Sequence, residues 1–159
     1  MDDLIDLLQR DALTPRDDIA RLLGLSVEEV NARVAALEKD GVILGYQAII
    51  NREKWDPDAV VAVIEVKVTP ERDGGFDRVA SRISKFDEVQ SCYLMSGGYD
   101  LLIVLSADNL RAVASFVAEK LSTIEAVQAT ATHFRLKTYK ENGAFHHFET
   151  APQRLPVTP

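Results

Sequence analysis

Cysteine is nearly absent from this sequence: Cys92 is the only one in 159 residues. One thiol excludes an internal disulfide and a metal site built from clustered thiolates. Flanked by Ser91 and Tyr93 in a strand-like run, Cys92 reads as a small buried apolar side chain. Long hydrophobic runs are missing too. No stretch approaches the roughly 20 apolar residues that cross a bilayer. Met1-Asp2-Asp3 is not the basic opening of a secretory signal, so the cytoplasm is the expected location. Cations are in deficit, 18 Lys and Arg against 25 Asp and Glu for a net charge of −7. Such a balance argues against broad electrostatic attraction to nucleic acid. No phosphate-binding glycine loop, metal-ligand spacing or nucleophile motif appears, so neither a cofactor nor catalytic machinery is expected. What is present is ordinary for a soluble protein, 47% apolar and 27% charged residues. The length suits one medium domain or two small ones.

The first 46 residues read as short helices. Leu4, Ile5, Leu7 and Leu8 fall at helical spacing between Asp2 and Arg10, with acidic residues at the start to suit the dipole. Thr14-Pro15-Arg16-Asp17 predicts a second helix capped by Thr14, with Ile19, Ala20, Leu22 and Leu23 inside and Gly24 as its stop. Ser26-Val27-Glu28-Glu29 is a second capping box and opens a third helix, whose inner stripe is Val30, Val34 and Leu37. Asp40-Gly41 ends it, and Val42–Tyr46 is expected to leave as a strand. Three helices with a tight turn before the third, then a strand, describe a winged helix-turn-helix. Residues 47–58 form a connecting strand or linker, broken at Trp55-Asp56-Pro57.

From residue 59 the period changes to two. Val60, Ala62, Ile64, Val66 and Val68 share one face of a strand, and Val61, Val63, Glu65 and Lys67 share the other. Pro70 ends it. Phe76, Val79, Ile83 and Phe86 then mark a helix. Glu88 to Leu105 reads as two strands meeting at Ser96-Gly97-Gly98-Tyr99-Asp100, the second apolar at every position and so buried on both sides. A second helix follows, carrying Leu110, Val113, Phe116, Val117 and Leu121 behind a cap at Asp108. The last strand spans about Val127 to Tyr139. The order predicts an α+β fold: the winged helix-turn-helix, then a ferredoxin-like βαββαβ domain over 59–140, an antiparallel sheet with helices on one face. The second face, around Val61, Val63 and the hairpin, needs a partner, which predicts self-association. Residues 141–159, with His146, His147 and three prolines, form a tail that is mobile or laid along a neighbouring subunit.

Ile19-Ala20-x-x-Leu23-Gly24-Leu25-Ser26, Arg33-Val34-x-x-Leu37-Glu38-x-x-Gly41-Val42-Ile43-x-Gly45-Tyr46 and Cys92 to Asp100 give these domains a family likeness. In order and spacing they resemble the Lrp/AsnC, or feast/famine, transcriptional regulators up to about Lys140. The resemblance implies a homodimer formed through the sheets and assembled further into an octamer. It also implies an amino acid or similar effector bound between dimers at the hairpin turn, where it shifts the assembly and its DNA-reading helices.

The chemistry of the turn suits a zwitterion. Amides of Gly97 and Gly98 can receive a carboxylate, Asp100 can pair with an ammonium, and Tyr99 can wall a side-chain pocket. Gln128, Thr130 and Thr132 can add hydrogen bonds. The plainer alternative is a structural hairpin, with glycines for positive φ and Asp100 satisfying turn amides. On the third helix the DNA-facing candidates are Ser26, Glu28, Asn31, Arg33 and Lys39, with Asn31 suited to an adenine edge and the two cations to phosphate. Glu28 and Glu29 occupy the end that approaches bases, and positions 32, 35 and 36 are alanine, where related helices are often basic. Residues 1–45 hold ten acidic and five basic side chains, a net −5. DNA binding is therefore expected to be weak per subunit, with a DNA-blind ligand-sensing oligomer as the alternative. A third reading, an enzyme like the sirohaem decarboxylases that share both domains, needs histidines around a large pocket. Only His133, His146 and His147 are available, and two of them lie in the tail.

Overall fold

A computed structural model describes residues 3–70 and 75–146. The chain forms two compact units, the first ending at Ala48 and the second beginning at Ile49.

In the first unit, α1 (Asp3–Arg10), α2 (Arg16–Leu23) and α3 (Val27–Lys39) follow the predicted helices. Leu4, Leu8, Ile19, Ala20, Val30 and Val34 make one buried cluster, edged by Leu7, Leu23, Leu37 and Ile43. Burying each larger member contributes about 1.5–3 kcal/mol. Gly24 closes α2 at φ 65°, and its amide donates to the Ala20 carbonyl. Ser26 accepts from the Glu29 amide while Glu29 accepts from the Ser26 amide, so the second capping box is complete. The expected Thr14 cap is not formed. Pro15 takes the cap position, and the Thr14 hydroxyl donates instead to the Asp11 carbonyl at 2.8 Å.

The strand expected over Val42–Tyr46 is also absent. The amides of Val42 and Ile43 both fold back onto the Leu37 carbonyl, at 2.9 and 3.1 Å, to finish the end of α3. Residues 44–50 carry no strand pairing. A strand exists only beside another, and among the described residues no second strand lies along this segment.

The second unit opens with a single turn, α4 (Arg52–Trp55), capped by the Asn51 side chain and missed by the sequence reading. A four-stranded antiparallel sheet follows in the order β2-β3-β1-β4: β1 (Val60–Val68), β2 (Val89–Leu94), β3 (Leu101–Ala107) and β4 (Val127–Phe134). Helices α5 (Asp77–Ile83) and α6 (Leu110–Ser115) complete the split βαβ order. Asn109 rather than Asp108 caps α6, accepting from the Ala112 amide. The helix then widens into a π-helical turn, Phe116–Leu121, which sends both end residues into the core. There the Phe116 and Phe86 rings meet edge to face at 5.5 Å. Lys120 lies over both rings and pairs with Glu88, whose carboxyl it holds below the usual carboxylate range.

Ala62, Ile64 and Val66 of β1 and Leu101, Ile103 and Leu105 of β3 are wholly buried in this core. Cys92 packs half-buried against it, and burial raises its thiol pKa. The final strand is shorter than expected and stops at Phe134. Beyond it the Thr138 amide donates to Glu53 of α4, at 2.8 Å. Where a tail was expected, a small hairpin forms from β5 (Lys140–Glu141) and β6 (Ala144–Phe145). Asn142 and Gly143, at φ 47° and 85°, form its turn. Both signs suit a type I′ turn, and the Asn-Gly pair was its signal in the sequence. His147 and the three prolines lie outside the described residues.

Candidate functional site

The turn between β2 and β3 is closed from below by its own backbone. The Met95 amide donates to the Asp100 carbonyl at 2.8 Å, and the Asp100 amide donates to Val66 of β1 at 3.0 Å. One Asp100 carboxylate oxygen accepts from the Val68 amide at 2.9 Å, while the other lies 3.5 Å from the Lys67 ammonium. Lys67 was not singled out in the sequence. It emerges here because β1 runs beside the turn. Asp100 thus ties the turn to β1, whereas the plainer reading had it satisfy amides of the turn itself.

Above that anchor the turn is open. Gly97 has φ 139°, a region that disfavours any other residue, and Ser96, Gly97 and Gly98 are exposed. The amides of Gly97 and Gly98 meet no acceptor among the described residues, and a methyl group built at either glycine would meet open space. Tyr99 stands half-buried beside them. The unit therefore offers two unspent donors next to a ring and an already paired carboxylate.

Gln128, Thr130 and Thr132 lie on β4, across β1 from the turn. Thr130 pairs with Val66 and Thr132 with Ile64, which places both threonines on the side of the sheet that carries the helices. Two strand spacings, about 10 Å, separate the level of Thr130 from the turn. Thr132 is one further step along the strand. The Gln128 amide is engaged, donating to the Thr69 hydroxyl at 2.7 Å. A β-bulge at Lys67/Val68 displaces this end of β4. Within a single chain these three residues flank the turn and do not close over it.

The opposite side of the sheet is a mixed surface. Its rows read Ser91, Val104, Val63, His133 and then Tyr93, Leu102, Glu65, Ala131. The apolar members are partly exposed, Tyr93 by 52%. His133 Nε2 lies 3.3 Å from Glu65.

On the first unit, α3 exposes Glu28, Asn31, Arg33 and Lys39. Lys39 and Glu28 share the outer side with Ala32, Ala35 and Ala36, whereas Asn31 and Arg33 sit on opposite flanks, Arg33 near Glu29. Ser26 is occupied by the capping box. Glu29 is held below the usual carboxylate range, first by the Ser26 backbone amide, then by the Ser26 hydroxyl, with Arg33 adding charge. No helix of the described residues is long and apolar enough to cross a membrane.

A helix-turn-helix unit joined to a one-sided βαββαβ unit defines a two-part class of protein, the first part of a kind that docks on DNA. Comparison with known proteins agrees in both parts. Residues 61–145 match the Lrp/AsnC ligand binding domain, and residues 3–43 match a winged helix-turn-helix DNA-binding domain. The chain belongs to the Lrp/AsnC family of transcriptional regulators. It is 42% identical over 158 residues to the uncharacterized HTH-type transcriptional regulator YugG of Bacillus subtilis, covering 99% of this chain and 95% of that one. To the regulator LrpA of Pyrococcus abyssi it is 34% identical over 124 residues, 78% and 85% of the two chains. Among solved structures, a Neisseria meningitidis transcriptional regulator in complex with L-Met superposes with TM-score 0.70 at 25% identity, covering 87% and 88%. A feast or famine regulatory protein from M. tuberculosis complexed with L-methionine gives 0.70 at 28% identity, over 87% and 90%.

Proposed function

We propose that this protein is a cytoplasmic DNA-binding regulator whose homo-oligomeric assembly responds to an amino acid held at the Ser96–Asp100 turn. The observation that carries this reading is the pair of unengaged amides at Gly97 and Gly98 above an anchored turn. An α-carboxylate supplies the acceptors that successive amides lack. The ammonium then falls near Asp100, whose Oδ1 is held only at 3.5 Å by Lys67. Tyr99 bounds the side chain, and a second dimer supplies the missing wall, with Gln128, Thr130 and Thr132 contributing where the dimers meet. Similar proteins solved with L-Met favour an amino acid as the ligand class.

Self-association is supported by the bare sheet face and by residues 42–50. That segment exposes Val42, Leu44, Tyr46, Ile49 and Ile50, Leu44 by 93%. Two copies give the segment a strand to lie beside and the sheet a second layer. An octamer built from four such dimers presents several α3 helices at once, which offsets weak phosphate contact by each. Asn31 reads base edges, and Arg33 and Lys39 touch phosphate. The opposing reading, a sensor that no longer binds DNA, draws on one observation: Glu28 and three alanines on the outer side of α3.

Three measurements separate these readings. Thermal melting against a panel of amino acids should show a rise in Tm for at least one, abolished by Gly98→Val. Light scattering should show an assembly larger than one chain. Fluorescence anisotropy on the protein's own upstream DNA at low salt should show saturable binding that Asn31→Ala weakens. Assembly and a ligand response without any DNA complex would leave the sensor reading standing alone.

A further inference from the structure

The chain holds four asparagines, Asn31, Asn51, Asn109 and Asn142. Three of them are held in place. Asn31 lies inside α3, where the amide that follows it belongs to the helix. The side chains of Asn51 and Asn109 cap helices, accepting from the Lys54 and Ala112 amides at 3.3 and 2.9 Å. Asn142 differs on every count. Its next residue is Gly143, and the two form the exposed turn between β5 and β6. Neither the Asn142 side chain nor the Gly143 amide has a hydrogen-bond partner among the described residues.

A carboxamide is a weak electrophile and a backbone amide a weak nucleophile. They react when they are adjacent, unbonded and uncrowded. Any side chain on the following residue shields the amide nitrogen, and glycine has none. Ring closure also requires Asn142 to turn out of its φ of 47°. The hairpin offers little resistance to that. Each strand has two residues, Lys140 pairing with Phe145 and Glu141 with Ala144, and none of the four is buried. A lone two-stranded hairpin is marginally stable, and short elements with few buried contacts open locally at low cost. The Arg135–Glu141 pair at 2.6 Å and the Lys140 ammonium, 4.7 Å above the Phe145 ring, brace the strands without reaching the turn.

We propose that Asn142 is a site of spontaneous deamidation through a succinimide closed by Gly143. The Gly143 nitrogen gives its proton to hydroxide and attacks Cγ of Asn142. An N–Cγ bond forms, the Cγ–Nδ2 bond breaks, and ammonia leaves with a proton from water. Water then opens the ring at either carbonyl. One opening gives aspartate; the other gives isoaspartate, with the main chain running through the former side chain. The balance is one water consumed and one ammonia released, with no change of oxidation state. Either product places a carboxylate beside Glu141. The isoaspartyl form also adds a methylene to the main chain, which the geometry of a two-residue turn does not accommodate. The change runs one way, so the hairpin has a lifetime set by its own sequence. The proposal is independent of the amino-acid site and of DNA binding by α3.

The test is peptide mapping by mass spectrometry after incubating the full chain at mildly alkaline pH, native and in urea. Native protein should lose the Asn142 amide within about tenfold of the unfolded rate, because the hairpin opens readily. The rate should rise in proportion to hydroxide, while Asn31, Asn51 and Asn109 stay intact in the native protein. Aspartate and isoaspartate should both appear, since direct hydrolysis gives aspartate alone. Gly143→Ala should slow the loss at least about tenfold. Alanine at a φ of 85° would loosen the turn and speed the reaction, so slowing reports crowding at the attacking nitrogen. An Asn142 that stays intact in the native protein overturns the proposal. So does loss shared equally by all four asparagines, which would report global unfolding. Aspartate as the sole product, or an unchanged rate in Gly143→Ala, overturns it as well.

Discussion

The two faces of the four-stranded sheet are built from neighbouring residues of the same strands, yet they solve different problems. On the helix side, Ile64 and Ile103 pair directly and are 0% exposed. One residue along, Val63 and Val104 also pair directly and stay half-exposed. Across β1 and β3 the helix side is apolar and covered within one chain, and only at the β4 edge does it carry Thr130 and Thr132. The other side interleaves Val63, Val104 and Leu102 with Glu65, His133 and Ser91. Such a surface is polar enough to survive alone and apolar enough to gain from a second copy. Parity along a strand thus separates the face that folds the chain from the face that the proposed assembly would use.

The largest effect should come from the covered face. Ile103→Ala leaves a cavity among buried residues that relax only in part, and should cost about 2–5 kcal/mol in urea unfolding at fixed low protein concentration. Val104→Ala under the same conditions should cost far less. Equal losses would mean that the two faces are not different in kind.

Assembly should invert the ranking. Val104→Asp places a charge between Ser91 and Val63 and one row from Glu65. It should weaken self-association at least thirtyfold, about 2 kcal/mol, with little change in monomer stability. Sedimentation velocity over a dilution series reads this directly. An unchanged association constant would remove this face from the interface.

The first unit repeats the contrast on a helix. Val30 and Val34 are buried on the inner side of α3, while Asn31 on its flank and Lys39 on its outer side are exposed. What holds the start of α3 is the box at Ser26. Ser26→Ala should cost about 1 kcal/mol, and Asn31→Ala should stay within about 0.5 kcal/mol. DNA affinity should follow the opposite order, falling with Asn31→Ala at unchanged melting temperature.

Much of this was legible in the residues. The capping box at Ser26, the stop at Gly24 and the parity of β1 each follow from local chemistry that nothing distant overrides. The failures share a cause as well. Val42–Tyr46 has strand composition, but pairing depends on a second strand that composition does not supply. Asn109 displaced Asp108 as a cap because either side chain suits the position and the chain entry angle decides. Asp100 could be recognised as a turn residue, but its hold on the Val68 amide depends on how β1 lies beside the hairpin. Lys67 went unremarked because a solvated lysine looks the same in sequence whether or not a turn lies beside it. The Asn142-Gly143 hairpin, by contrast, was written plainly and passed over as tail.

The smallest expected effect concerns acid. Glu29 closes the capping box only as a carboxylate, and the Ser26 amide and hydroxyl lower its pKa from the ordinary 4.5. A group whose folded value is depressed favours the native state above its unfolded value, and that contribution disappears as pH falls through the folded value. Stability should therefore decline as the medium passes below about pH 4.5, with Glu88, lowered chiefly by Lys120, declining in the same window. Both groups are solvent-accessible, so screening keeps each contribution modest, and 1 M salt should weaken the Glu88 part more than the Glu29 part. Glu29→Gln keeps an acceptor for the Ser26 amide without the charge. It should lose a little stability at pH 7 and show a shallower fall between pH 5 and 3 than wild type, read from urea midpoints at each pH. Parallel curves for the two proteins would mean that the carboxylate of Glu29 does not contribute to holding the turn before α3.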